Sequence, residues 1–167
     1  MALEVVLVRH AIAFERNRTR WPNDRLRPLT VDGKRRFRKA AAGLTEWAPR
    51  VESVLCSPLL RARETSELLI RIADWPEPEV CEELAPGVSP ARIFARLRKQ
   101  SARRIALVGH EPGLSTLLSI AIGGEDAKLS LELKKGGVAC IRFPDRIEPR
   151  RAALLWLVPP RLLRRLR

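Results

Sequence analysis

Apolar positions along the chain follow two periods. Leu3-Glu4-Val5-Val6-Leu7-Val8 is a short, nearly continuous apolar run containing β-branched residues, and it stops at Arg9-His10. A run of that length and composition predicts a buried strand. Val51 to Cys56, Arg104 to Val108, Gly137 to Phe143 and Ala152 to Val158 predict four more. The last two are joined by a turn around Pro144-Asp145 and can pair as a hairpin. Longer segments carry the helical period. Thr30 is a good N-cap for a helix from Val31 to Trp47, which Pro49 ends. Ser57-Pro58 opens a second helix that runs to Ala73, with proline in its first turn. Ser89-Pro90 opens a third that reaches Lys99, and Pro112 a fourth that reaches Ile122 and stops at Gly123-Gly124. Residues 12–28 are polar and read as a loop, as does the stretch holding Pro76 and Pro78.

Strands alternating with helices predict an α/β chain: a three-layer α/β/α sandwich with helices on both faces of a mostly parallel sheet. The terminal hairpin makes that sheet mixed. The 167 residues suit one domain over 1–167, large enough to fold without a disulfide or metal staple. No internal repeat, low-complexity stretch or linker interrupts it.

Composition narrows the setting. Cys56, Cys81 and Cys140 are odd in number and form no Cys-x-x-Cys pair, which points to a reducing compartment and away from a disulfide framework or zinc site. Glu4 stands where a signal peptide needs a basic residue, and no run approaches the ~20 apolar residues of a membrane helix. The expectation is therefore a cytoplasmic protein that does not cross a membrane. The net charge of +13 comes mainly from arginine. An anionic partner is one reading, and arginines on solvated faces the other. The basic residues are spread over several segments, with no tyrosine interleaved as a base-stacking platform. Nucleic acid is not expected as a partner, and a monomer is the default.

Chemistry gathers where the apolar runs stop. Arg9-His10 follows the first predicted strand, Ser57 and Arg61 follow the second, and Gly109-His110 follows the third. Ligands of open α/β sheets bind outside the carboxyl ends of the strands. The chain has only two histidines, and both fall on this rim. Arginine forks match phosphoryl oxygens bidentately, while imidazole can be a neutral nucleophile or a protonated stabiliser. That set fits phosphoryl transfer.

These segments resemble the signatures of the histidine phosphatase superfamily, the phosphoglycerate mutase-like fold. Arg9-His10-Ala11 resembles its Arg-His-Gly motif, with alanine in place of glycine. Arg27-Pro28-Leu29-Thr30-Val31-Asp32-Gly33 resembles its Arg-Pro-Leu-Thr-x-x-Gly segment. Ser57-Pro58-Leu59-Leu60-Arg61-Ala62 resembles its Ser-Pro-x-x-Arg-Ala segment, and Gly109-His110-Glu111-Pro112 its second-histidine segment. Lys134-Lys135-Gly136-Gly137-Val138-Ala139 resembles a stretch of the SixA branch. The resemblance implies His10 as nucleophile, Arg9, Arg27 and Arg61 as a phosphate clamp, and His110 as a further phosphate-binding and catalytic group. No cofactor or metal is expected, because that clamp supplies the positive charge a metal ion would and no ligand-type carboxylates or cysteines cluster beside the histidines. Glu83 is the nearest candidate for a general acid, with a solvated loop carboxylate as its other reading. The activity implied is removal of phosphate from phosphohistidine on a signalling protein, such as a histidine phosphotransfer domain. The alternatives are a phosphomonoesterase for a small phosphorylated metabolite and, in another class, a basic phosphate- or nucleic-acid-binding module without catalysis.

Cys56 precedes Arg61 as in cysteine-dependent phosphatases, but four residues separate them where those enzymes have five, and none is glycine. A small buried strand residue explains Cys56 better. The C-terminal Pro159-Pro160-Arg161-Leu162-Leu163-Arg164-Arg165-Leu166-Arg167 could touch an acidic membrane, but a final turn that docks its leucines on the domain is favoured. The 49 positions from Arg61 to His110 hold one helix, loops and at most one short strand, without the helical insertions that roof the pocket in the larger members of the superfamily it resembles, so the resemblance implies a shallow, open site.

Overall fold

A computed structural model describes residues 2–46, 48 and 50–166. Six strands form one sheet: β1 (Leu3–Arg9), β2 (Ser53–Cys56), β3 (Pro78–Val80), β4 (Arg104–Gly109), β5 (Val138–Phe143) and β6 (Ala153–Val158). Their order is β3-β2-β4-β1-β5-β6. The first four in that order are parallel, and β5 and β6 add an antiparallel hairpin. Five helices accompany them: α1 (Val31–Thr45), α2 (Leu60–Ala73), α3 (Ala91–Leu97), α4 (Gly113–Gly123) and α5 (Pro160–Leu163). The layered, mixed-sheet α/β architecture is the one the apolar pattern predicts.

Strand alternation divides the core. Val6, Val8, Val54, Cys56, Ala106 and Val108 face one side, against Phe37 and Leu44 of α1 and Leu68 and Leu69 of α2. Val5, Leu7, Leu55, Ile105 and Leu107 face the other, against α3 and α4. Because β1, β2 and β4 are covered on both faces, they read as continuous apolar runs.

Four boundaries and elements depart from the sequence reading. The helix expected from Pro58 begins at Leu60, because Ser57 N–H extends the sheet ladder to Val108 O (2.9 Å). The stretch around Pro76 and Pro78 is not all loop. Pro78–Val80 pairs with β2 as an edge strand, where a leading proline costs no ladder bond. The polar loop of residues 12–28 contains a 3₁₀ turn at Asp24–Leu26, N-capped by Asn23. The C-terminal segment forms α5, which buries Leu163 but leaves Leu162 and Leu166 about half exposed. The predicted end of α1 at Trp47 and Pro49 lies outside the described residues.

Candidate active site

The sheet brings the expected residues together by register. Arg9 pairs with Gly109 and Cys56 with Val108, so β1, β4 and β2 end side by side. One more ladder bond follows, from His10 N–H to Gly109 O (3.0 Å). His10, Ser57 and His110 therefore emerge as neighbours at the carboxyl rim, and the two imidazoles lie 5.0 Å apart, centroid to centroid. Arg61 enters from the first turn of α2, and Arg27 from the strand-like approach to α1.

Each imidazole is held by one ring nitrogen. His10 Nδ1 lies 2.7 Å from Ala11 O. A carbonyl oxygen only accepts, so Nδ1 carries the proton and Nε2 keeps its lone pair. Burial lowers the His10 pKa to about 3, and Arg61, Arg9 and Arg27 lower it against the opposing Ala11 bond. His110 Nε2 lies 2.7 Å from Ser57 Oγ. Burial first, then His10 and Arg61, lower its pKa to about 2. Both rings are therefore neutral at physiological pH in the free site.

The arginines are oriented by acceptors on their outer sides. Arg9 Nη1 donates to Leu133 O (2.7 Å) and Arg27 Nη1 to Phe14 O (2.6 Å). Asp24 bridges two of them: Oδ1 accepts from Arg27 Nε (2.8 Å), Oδ2 lies 3.2 Å from Arg61 Nη2, and its backbone O accepts from Arg61 Nη1 (3.0 Å). The Arg27 bond is the largest cause of the lowered Asp24 pKa, so this carboxylate stays ionised. Three guanidinium charges less one carboxylate leave the cluster with two net positive charges, the complement of a phosphoryl dianion.

Among the described residues, four buried side-chain nitrogens have no hydrogen-bond partner, and three belong to this cluster: Arg9 Nε, Arg61 Nε and His110 Nδ1. An unsatisfied buried polar group costs about 1–3 kcal/mol. Three at one locus mark a place built for a polar ligand with several acceptor oxygens.

Comparison with known proteins gives the family and the fold. Residues 5–85 match the family model described as "Histidine phosphatase superfamily (branch 1)". An uncharacterized protein of Picosynechococcus sp. is 35% identical over 143 residues, covering 84% of this chain and 85% of that protein. The chain belongs to the histidine phosphatase superfamily. It is thus a phosphatase by family, and its fold is that of SixA. The structure of the protein histidine phosphatase SixA complexed with tungstate superposes with a TM-score of 0.84 at 24% identity, over 96% of this chain and 99% of that one. An α-ribazole phosphatase of Shigella flexneri superposes with a TM-score of 0.72 at 18% identity, over 95% and 97%.

Further side chains and backbone groups of this histidine phosphatase position the cluster, and two of them, Asp24 and Thr65, lie outside its motifs. Asp24 sits in a polar loop and shows itself only by its i,i+3 spacing to Arg27. Thr65 Oγ1 accepts from Ala11 N–H (3.0 Å) and donates to Arg61 O (2.7 Å), tying the segment after His10 to α2. Gly136, at φ +78°, donates its N–H toward both Arg9 O and His10 O (3.1 Å each). Glu111 accepts from Leu133 N–H (3.3 Å), and Leu133 O in turn holds Arg9.

Glu83 engages Cys81 rather than an arginine of the cluster. It lines a cleft of about 310 Å³ together with Leu84, Pro86, Ile93, His110 and Leu114. Its carboxylate accepts from Cys81 Sγ (3.4 Å), and its own backbone N–H is the largest cause of a lowered pKa. The site is consequently less shallow than its short connection suggests, because the 3₁₀ turn at Glu82–Leu84 and α3 wall one side. Cys56 is fully buried among apolar residues, and burial pushes its thiol up to about 11, which removes it as a nucleophile. No group of three or more His, Cys, Asp or Glu among the described residues could hold a metal ion. No helix of the structure is long and apolar enough to cross a membrane.

Proposed function

We propose that this phosphatase removes phosphate from phosphohistidine on a partner protein through a phosphorylated His10. The observation that carries the reading is that the carboxylates described around the site, Asp24, Glu83 and Glu111, are each already engaged by a partner. Arg27 holds Asp24 ionised, Glu83 is turned to Cys81, and Glu111 is engaged by Leu133 N–H and Ser115. An alkoxide leaving group needs a proton, and general acid help is typically worth about 10²–10⁴-fold. A phosphorylated imidazole leaves readily once its own ring is protonated from solvent.

The chemistry follows from the hydrogen bonds. His10 Nε2 attacks phosphorus while Ala11 O retains the proton on Nδ1. The bond from phosphorus to the substrate nitrogen breaks, and its electron pair leaves with the protonated substrate ring. Arg9, Arg27 and Arg61 balance the phosphoryl charge. A bound dianion raises the pKa of His110, which then donates from Nδ1 to a phosphoryl oxygen while Nε2–H donates to Ser57 Oγ. Water next attacks the phosphorus on His10, the phosphorus–nitrogen bond breaks back to Nε2, and inorganic phosphate departs. No step uses a metal ion or cofactor.

A second reading has its own observation. The cleft beside His110 could hold the non-reacting part of a small phosphorylated metabolite, provided that part is largely apolar. Parallel kinetics on a chemically phosphorylated histidine peptide and a panel of small phosphomonoesters separate the two. We expect kcat/KM for the phosphohistidine to exceed that for every ester by roughly the factor a missing acid costs, about 10²-fold or more. Glu83→Gln should leave both unchanged. An ester turned over as fast as the phosphohistidine would favour the metabolite reading. His10→Ala should abolish turnover and the acid-labile phosphoenzyme with either substrate, and a labelled phosphoenzyme in that variant would refute the nucleophile.

A further inference from the structure

The loop between β1 and α1 does more than deliver Arg27. We propose that its outer part is a cationic docking lip that selects phosphohistidine displayed among carboxylates on the partner protein. This rests on the phosphohistidine reading and adds the chemistry of the surface that surrounds the substrate.

The lip is fixed to the site at both ends. Phe14 N–H donates to Pro28 O (3.1 Å), Ala13 bridges Leu29, and Arg27 Nη1 holds Phe14 O. Its tip is ordered by Asn17, whose Oδ1 accepts from Thr19 and Arg20 N–H (2.9 Å each) and whose O accepts from Trp21 N–H (2.7 Å). This turn presents Arg16, Arg18 and Arg20, all exposed, with Glu15 the one acid between Phe14 and Trp21. Arg16 reaches only a distant contact with Asp24 (3.8 Å). Arg18 and Arg20 have no carboxylate partner among the described residues.

Arg20 has an unusual mount. Its guanidinium carbon lies 4.5 Å from the Phe14 ring centroid and 5.1 Å from that of Trp21. Two aromatic faces hold the cation without consuming its N–H donors, which stay free for an acidic ligand. Unpaired arginines occur elsewhere on this surface. These three differ in riding on the loop whose other end is the phosphate clamp.

The cleft beside His110 carries Glu83 and Glu111, with Arg92 and Arg96 close enough to act on Glu83, and Arg25 of the loop is already paired with Glu82 (3.3 Å). Carboxylates of a partner are therefore drawn to the unpaired arginines of the Arg16–Arg20 turn rather than to that wall. Such exposed charges act mainly on encounter and orientation, and they are screened by salt.

Three synthetic peptides of one length test this on the full chain. Each carries one phosphohistidine, flanked by Asp and Glu, by Ser and Gln, or by Lys. At about 0.01 M salt we expect kcat/KM to rank acidic over neutral over basic, with roughly tenfold between the first two. At about 1 M salt, where the Debye length is ~3 Å, the ranking should collapse. In an Arg18→Gln/Arg20→Gln variant the acidic-to-neutral ratio should fall toward one at low salt. Equal rates for the three peptides, or an unchanged ratio in the variant, would overturn the lip while leaving the phosphohistidine reading intact. Turnover of none of them would overturn both. A single-stranded oligonucleotide that inhibits more strongly than the unphosphorylated acidic peptide would assign the lip to nucleic acid and overturn it as well.

Discussion

His10 and His110 are both held neutral first by burial, with arginine charge adding to it at His10 and the neighbouring His10 and Arg61 adding to it at His110, and the result can be read without substrate. Their folded pKa values, about 3 and about 2, lie below the ordinary 6.5. Between those limits the unfolded chain binds protons that the folded chain refuses, so acid weakens the fold as pH falls through this window. Above pH ~6.5 both states are neutral there and the contribution vanishes. The chain has only these two histidines, so an NMR titration shows two imidazoles and nothing else. Neither should titrate between about pH 7.5 and 5 in the free protein, and saturating inorganic phosphate should raise the His110 midpoint. A midpoint near 6.5 without phosphate would show that the arginines and burial do not control these rings. At this scale the site was largely legible. Histidines and arginines at strand ends announce themselves by position in the sequence, because an apolar run must stop where the chain leaves the core. Asp24 did not announce itself. A carboxylate among the polar residues of a loop looks solvated until the fold brings Arg61 to it from 37 residues away.

At the scale of elements, α1 is placed against the segment that follows His10 by its first turn. Thr30 caps the helix by accepting from Gly33 N–H (2.9 Å), and its own N–H donates to Ile12 O (3.0 Å), two residues beyond His10. A Cβ at Gly33 would overlap that Ile12 carbonyl. The glycine of the Arg27–Gly33 segment is thus required by close approach of two backbones, although its own φ is not in the positive region. Gly33→Ala should destabilise by about 1–3 kcal/mol of overpacking, against a helix-propensity gain of up to about 1 kcal/mol. The net is a fall of a few degrees in Tm, with a lowered kcat/KM as the Ile12 segment and Arg27 shift. Gly113→Ala is the control for stability, since a Cβ there meets nothing within 4 Å. Equal melting of the two variants would show that the close approach is unimportant. Most elements were legible because β1, β2 and β4 are covered on both faces and α1 and α2 on one. The strand β3 was not. Three residues with a leading proline carry no periodicity, and only its pairing with β2 defines it.

Across the whole molecule, the C-terminal turn links the surface to the His10 segment through one packed layer. Leu163 of α5 is buried in the core beneath α1, and its carbonyl sits where a Cβ on Gly43 would fall. Pro160 lies where a Cβ on Gly136 or Gly137 would touch it, and Gly136 N–H is shared by the carbonyls of Arg9 and His10. The sequence suggested a segment that docks its leucines. The fold docks one of the three, because a single short helical turn can aim only one face inward. Leu163→Ala should cost about 2–5 kcal/mol, the range for a leucine deleted from a packed interior. Leu162→Ala, at a half-exposed position, should stay within about 0.5 kcal/mol. Urea unfolding measures both, and the midpoint of Leu163→Ala should fall with an unchanged slope, since the exposed surface on unfolding is nearly the same. The loosened Gly136 segment should also lower kcat/KM in Leu163→Ala, measured well below its melting point, and leave Leu162→Ala at the wild-type rate. Equal stability losses for the two leucines would mean that the turn does not dock as described. A destabilised Leu163→Ala protein with wild-type kcat/KM would confine α5 to stability and break its link to His10.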